Sequence, residues 1–225
     1  MKELAEYILR FGRGGLLRFL SRQETSTAIE RMLRRAKIPI AYSQGFHPHP
    51  KLSYAPAVPT GVASSALYLK ITTTTKDDEI FDKLLEHSVF TLRILGVWEV
   101  PEGTDFQELV EKYSYCLYLP KGRFDPNRFS PEIIVKKVGK RNVKTFKAGE
   151  VYEGYEFSEL NDYFMVKYFQ PITKLVSYQE LLKILSITDG VSEGSVYVYV
   201  FDAVHKGRYL SEILNDIGGK KNVRS

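Results

Sequence analysis

Between Ser21 and Pro39 the sequence leaves room for little but one amphipathic helix, and that helix orders what stands on either side of it. Glu24 follows Ser21 by three residues, the spacing at which hydroxyl and carboxylate each accept the other residue's backbone N–H in a capping box. At roughly 100° per residue, Ala28, Ile29, Met32, Leu33 and Ala36 fall on one arc, the stripe a helix turns towards a core. Arg31, Arg34 and Arg35 fall on an adjacent arc outside it. Pro39 disfavours helical geometry at Ile38 and ends the run.

The flanks read as strands and turns. In residues 5–20, Tyr7, Leu9 and Phe11 alternate with Ile8 and Arg10, Gly12-Arg13-Gly14-Gly15 is turn chemistry, and Leu16–Leu20 resumes the apolar run. That pattern predicts a strand pair or one long bent strand. After the helix, prolines at 48, 50, 56 and 59 make the segment from Tyr42 to Pro59 stiff and extended. A strand over Ala66–Thr75, a helix over Asp77–His87 and a strand over Phe90–Val100 follow, closed by Pro101-Glu102-Gly103-Thr104. The second half predicts strands at Ser114–Leu119, Thr145–Phe157, Phe164–Phe169 and Val196–Val204, with helices near Ser130–Lys137 and Ser177–Leu185. Strand–helix–strand–strand–helix–strand suits a sheet with helices packed on one face. The expected class is therefore α+β, with tandem ferredoxin-like (βαββαβ) units and antiparallel sheets. Residues 1–105 form the N-terminal unit with the basic helix and the Gly-Phe-His-Pro-His-Pro loop. Residues 106–225 form a C-terminal α/β unit, readable as a diverged repeat, and Gly218–Ser225 reads as a frayed tail.

Charge and cysteine usage narrow the function classes. Residues 1–60 carry ten Lys and Arg against four Glu, so the net charge of +5 resides in the first quarter of the chain. That asymmetry points to an anionic partner. Cys116 is the single cysteine, which excludes an internal disulfide, a Cys-only metal cage and a self-contained iron–sulfur site. No run approaches the apolar length of a membrane span and the first residues lack the apolar stretch of a signal peptide, so a cytoplasmic protein is expected, with no membrane partner. Phosphate-loop, dinucleotide, nucleophile-elbow and zinc-helix motifs are not found.

Two features could carry function. His47 and His49 flank Pro48, and two imidazoles so spaced can share a metal once a third ligand arrives; Glu24, His87 and His205 are distant in sequence. They can equally act as acid–base groups, contact phosphate, or simply bond to backbone. The other feature is the arginine face. Arg22, Arg31, Arg34 and Arg35 offer planar forks of donors suited to phosphate oxygens, with Lys37 at the helix end. Beside them Tyr42, Gln44, Phe46, His47, His49, Lys51 and Tyr54 interleave aromatic, polar and basic groups, as single-stranded nucleic acid binding requires. The alternative is a solvated helix face. A second basic run, Lys136, Lys137, Lys140, Arg141, Lys144 and Lys147, reads as an exposed hairpin or loop.

The runs Leu17–Ser21, Ala28–Ala36, Tyr42–Ser53 and Pro59–Val62 together resemble the radical SAM-linked protein family, a domain family found beside or fused to radical S-adenosylmethionine proteins. The resemblance is specific over residues 7–75 and weak beyond 110. It implies an accessory or substrate-presenting role next to a radical SAM protein. The family usually has Ser-His-x-Asp at the helix start, where this chain has Ser21-Arg22-Gln23-Glu24, so histidine chemistry there is lost while the cap and arginines remain. The expectation is a non-catalytic binding partner with no cofactor, taking RNA or a ribosome-associated substrate through Ser21, the arginine face and the loop. The alternatives are an endoribonuclease of ferredoxin-like type using His47 or His49, and a protein-interaction module.

Overall fold

A computed structural model describes residues 4–139, 142–187 and 196–217. Lys140 and Arg141 of the second basic run, and the tail from Gly218, lie outside the described residues. The chain is mixed α+β, with a large, mostly antiparallel sheet and few helices. It divides into two compact units, residues 1–110 with 202–225, and residues 111–201.

In the first unit, β1 (Ala5–Arg13) is followed by α1 (Arg22–Arg35), β2 (Leu52–Tyr54), β3 (Ala63–Thr73), α2 (Ile80–His87) and β4 (Leu92–Val100). β1 runs antiparallel between β3 and β4, with Leu9 opposite Leu69 on one side and Val97 on the other. β2 pairs antiparallel with β3. The alternation read in β1 places Tyr7, Leu9 and Phe11 on one face, where α1 and α2 cover them with Ile29, Met32, Leu33, Phe81 and Leu84. Leu16–Leu20 does not resume as a strand. Both edges of β1 are already paired, Gly15 turns the chain at φ +51°, and Gly15–Phe19 forms a 3-10 turn with Leu16 and Phe19 exposed.

The second unit opens on β5 (Lys112–Pro120), then β6 (Ile134–Val138), β7 (Val143–Lys147), α3 (Ala148–Val151), β8 (Glu153–Glu159), β9 (Tyr163–Pro171) and α4 (Tyr178–Leu185). β9 lies between β5 and β8, and β6 with β7 forms a separate two-stranded ribbon. The helix expected near Ser130–Lys137 is therefore a strand. Its β-branched residues Ile134, Val135 and Val138 favour extended backbone, and Val135 is buried opposite Phe146. The single strand expected over Thr145–Phe157 is broken by the turn of α3 and by Gly154 at φ +63°. The chain then runs through β10 (Tyr197–His205), β11 (Arg208–Tyr209) and α5 (Leu210–Ile217). The described residues from Asp202 onwards belong to the first unit. β10 neighbours β3 in strand order, and α5 bonds to Trp98 on β4 through Asn215 at 2.8 Å.

The core of the second unit is tyrosine-rich. Tyr115 and Tyr168 stack at 5.0 Å across the β5–β9 pair, and Tyr152 meets Tyr168 edge-on at 5.0 Å. Their three hydroxyls are buried with no hydrogen-bond partner among the described residues, and burial pushes each phenol above its ordinary pKa. A buried hydroxyl without a partner costs more than the ring without it. Tyr168→Phe is therefore expected to raise the unfolding free energy by about 1 kcal/mol in urea denaturation. A loss of that size instead would show that the hydroxyl is bonded.

Candidate functional site

α1 begins as its sequence requires. Ser21 N–H donates to Glu24 Oε2 at 2.8 Å and Glu24 N–H donates to Ser21 Oγ at 3.2 Å, and hydrogen bonding of the Glu24 carboxylate to the backbone and side chain of Ser21 holds it below its ordinary pKa. The helix turns Thr25, Ile29, Met32 and Leu33 inwards, which leaves Arg22, Arg31, Arg34 and Arg35 exposed. The last two sit in the final turn, where positive charge also offsets the helix dipole.

The end of α1 is unusual. Lys37 N–H donates to Arg34 O and Ile38 N–H to Leu33 O, both at 3.1 Å, the two bonds of a Schellman cap. The residue at its left-handed position is normally glycine, yet here it is Lys37, at φ +52°. A side chain there costs on the order of 1 kcal/mol. Lys206 is the other non-glycine residue with positive φ among the described residues.

From this cap the chain runs through Pro39 to the His-Pro loop, which is closed at its base. Tyr42 bridges Pro50, Ser43 N–H donates to His49 O at 2.8 Å, and His49 N–H donates to Ser43 Oγ at 3.0 Å. Below that, Lys51 N–H donates to Ala41 O and Ala41 N–H to Thr72 O, each at 2.8 Å, tying the loop to β3. Gly45 at φ +135° allows the turn at the tip, where Gln44, Phe46, His47 and His49 are exposed and Phe46 is wholly so. Lys51 is also exposed.

A groove lies between the end of α1 and the base of this loop. Arg34, Lys37 and Tyr42 line it together with Leu33, Ile38, Ile40 and Pro50, and Glu30 joins them. The structure thus brings Arg34 and Tyr42 to one cavity. Arg31 and Arg35 stand exposed on the helix without lining it. Ser21 and Arg22 lie at the far end, roughly 18 Å along the helix from Arg34 at 1.5 Å per residue.

That far end has its own small pocket, lined by Arg13, Arg22, Thr25, Ser26 and Tyr54 among others. Arg13's part is not legible in the sequence, since Gly12-Arg13-Gly14-Gly15 reads as a turn. The side chain is 97% buried and acts as a hub for loops on either side of α1. Nη1 donates to Leu20 O at 3.3 Å and Thr25 Oγ1 at 3.1 Å. Nη2 donates to Val58 O at 3.4 Å, Pro59 O at 3.0 Å and Val62 O at 3.2 Å. Burial lowers its pKa from the ordinary arginine value, but from so high a start it stays charged at neutral pH. Tyr54 on β2 donates to Ser26 O and Glu30 Oε1, and burial together with that carboxylate pushes its phenol well above the usual range.

A second buried network went unforeseen. Asp202 on β10 is fully buried; Tyr68 Oη donates to its Oδ1 at 2.6 Å and Arg10 pairs with its Oδ2 at 3.2 Å. Ser211 Oγ and Ala203 N–H donate to it as well.

Among the described residues, no group of three or more His, Cys, Asp or Glu is placed to hold a metal, so His47 and His49 gain no third ligand here. Burial raises the Cys116 thiol, which suits an inert side chain rather than a nucleophile. No described helix is long and apolar enough to cross a membrane.

A family model described as "Uncharacterized protein conserved in bacteria (DUF2344)" matches residues 6–157, about two thirds of the chain. No curated protein matches it.

Proposed function

The chain belongs to this bacterial family, and we propose that it is a non-catalytic binding protein that takes RNA on the exposed face of α1 and the closed His-Pro loop. One observation carries the reading. The loop is pinned at its base beside the arginine-bearing end of α1, so aromatic, imidazole and guanidinium groups are offered together on a fixed backbone. Preorganised groups lose little freedom on binding, which is where flexible basic surfaces lose affinity. All the named side chains are exposed. The antiparallel order β4-β1-β3, with β2 on the other edge of β3, supports reading this unit as ferredoxin-like. The motif resemblance over residues 7–75 supports a radical SAM protein as the partner that this binding serves.

Changing Arg31, Arg34 and Arg35 together to Ala is the direct test. In filter binding with total cellular RNA, wild type should be retained at low salt and released as salt rises. For single strands, log affinity falls with log salt by about 0.7 per phosphate contact, so the triple variant should lose roughly two units of that slope. Its urea midpoint should hold, because the three side chains are exposed. Failure of wild type to retain RNA at low salt would end the RNA reading. Pull-down with the radical SAM protein tests the partner separately.

A further inference from the structure

We infer that the groove at the end of α1 is a subsite for one nucleotide of a single-stranded chain, its base lying on Tyr42 and its phosphate between Arg34 and Lys37; this rests on the RNA-binding reading above. The first ground is the mixed lining. Leu33, Ile38 and Ile40 supply apolar surface, while Arg34 and Lys37 supply charge against the single carboxylate of Glu30, which accepts the Tyr54 hydroxyl. An apolar floor under a cationic rim suits a flat ring carrying a phosphate. The Tyr42 ring is about half exposed, and its backbone is held by the bridge to Pro50, so it presents a fixed stacking surface.

Lys37 is the second ground, and it is independent of the pocket's shape. A Schellman cap is served best by glycine at this position, and a lysine that only faced solvent would gain nothing by its left-handed backbone. Backbone strain kept at a surface residue points towards use of its side chain. Here that side chain lines the groove beside Arg34. The base must be unstacked from its neighbours to reach Tyr42, which selects single strands over duplex.

Two substitutions test the subsite. Lys37→Gly removes a cation and relieves the strain, so thermal stability should hold or rise while binding weakens. Tyr42→Ala removes the stacking surface. With a fluorescein-labelled octauridine and a duplex RNA of similar length, read by fluorescence anisotropy at low salt, wild type should prefer the single strand. Each variant should bind the octauridine roughly tenfold more weakly, with Lys37→Gly melting no lower than wild type. Equal binding of both RNAs, unchanged in both variants, would overturn the subsite and leave the RNA-binding reading standing. Binding of neither RNA by wild type would overturn both.

Discussion

Arg13→Ala is expected to cost roughly 3–5 kcal/mol of folding stability, measured by urea denaturation. The two terminal nitrogens of Arg13 satisfy four backbone carbonyls, at Leu20, Val58, Pro59 and Val62, and the hydroxyl of Thr25. Removing the guanidinium leaves those acceptors facing a cavity with no donor, and the cost falls on the folded state alone. Arg13→Lys should recover only part of the loss. A single ammonium cannot span acceptors held on both sides of α1, whereas the planar fork does. A change below 1 kcal/mol in Arg13→Ala would show that the carbonyls find other donors.

Asp202→Ala should cost about 3 kcal/mol or more, for a different reason. It strips Arg10, Tyr68 and Ser211 of their shared acceptor, and a charge left unpaired in a buried pair is a typical loss of 3–5 kcal/mol. Arg10 keeps some access to solvent and also donates to Ser65 O at 2.6 Å, which places the cost at the lower end. Asp202→Asn separates charge from shape. Burial raises the Asp202 carboxyl above its ordinary value, with Arg10, Ser211, Tyr68 and the Ala203 N–H pulling the other way. A folded value above the unfolded one means that this group's contribution is full below the unfolded carboxylate range. It is lost as pH rises through the folded value. The stability difference between wild type and Asp202→Asn should therefore shrink from about pH 4 upwards. A difference that grows with pH would mean that the ion pair with Arg10 outweighs burial.

What could be read in the sequence was what is settled within a few residues. The Ser21–Glu24 cap, the inward stripe through Ile29, Met32 and Leu33, and the end of α1 before Pro39 are local, and the structure has them. The mixed α+β class followed from the same short-range patterns. Backbone bonds leave no mark on side-chain type, so the closure of the loop through the Tyr42–Pro50 bridge and the Ser43 N–H to His49 O bond could not be seen. Lys37 was visible as a cation at the helix end, but its left-handed backbone was not, since glycine is the residue that announces that geometry. The helix expected near Ser130–Lys137 failed because pairing with β7 decided the matter, not the local pattern. Arg13 and Asp202 mark the other limit. Tyr68 and Asp202 are 134 residues apart, and no spacing rule connects them.

The distance between those two residues has a consequence in time. The first unit is interrupted in the chain, resuming at Asp202 after residues 111–201 have intervened. A ribosome therefore releases β1, α1 and β3 long before it makes the carboxylate that Arg10 and Tyr68 require. During that interval Arg10 has Ser65 O but not the Asp202 carboxylate, and the β10 neighbour of β3 does not yet exist. Contacts of such long separation are slow to form because the intervening chain must be closed first. The buried network around Asp202 thus closes late in synthesis, after the inserted residues 111–201 have been made.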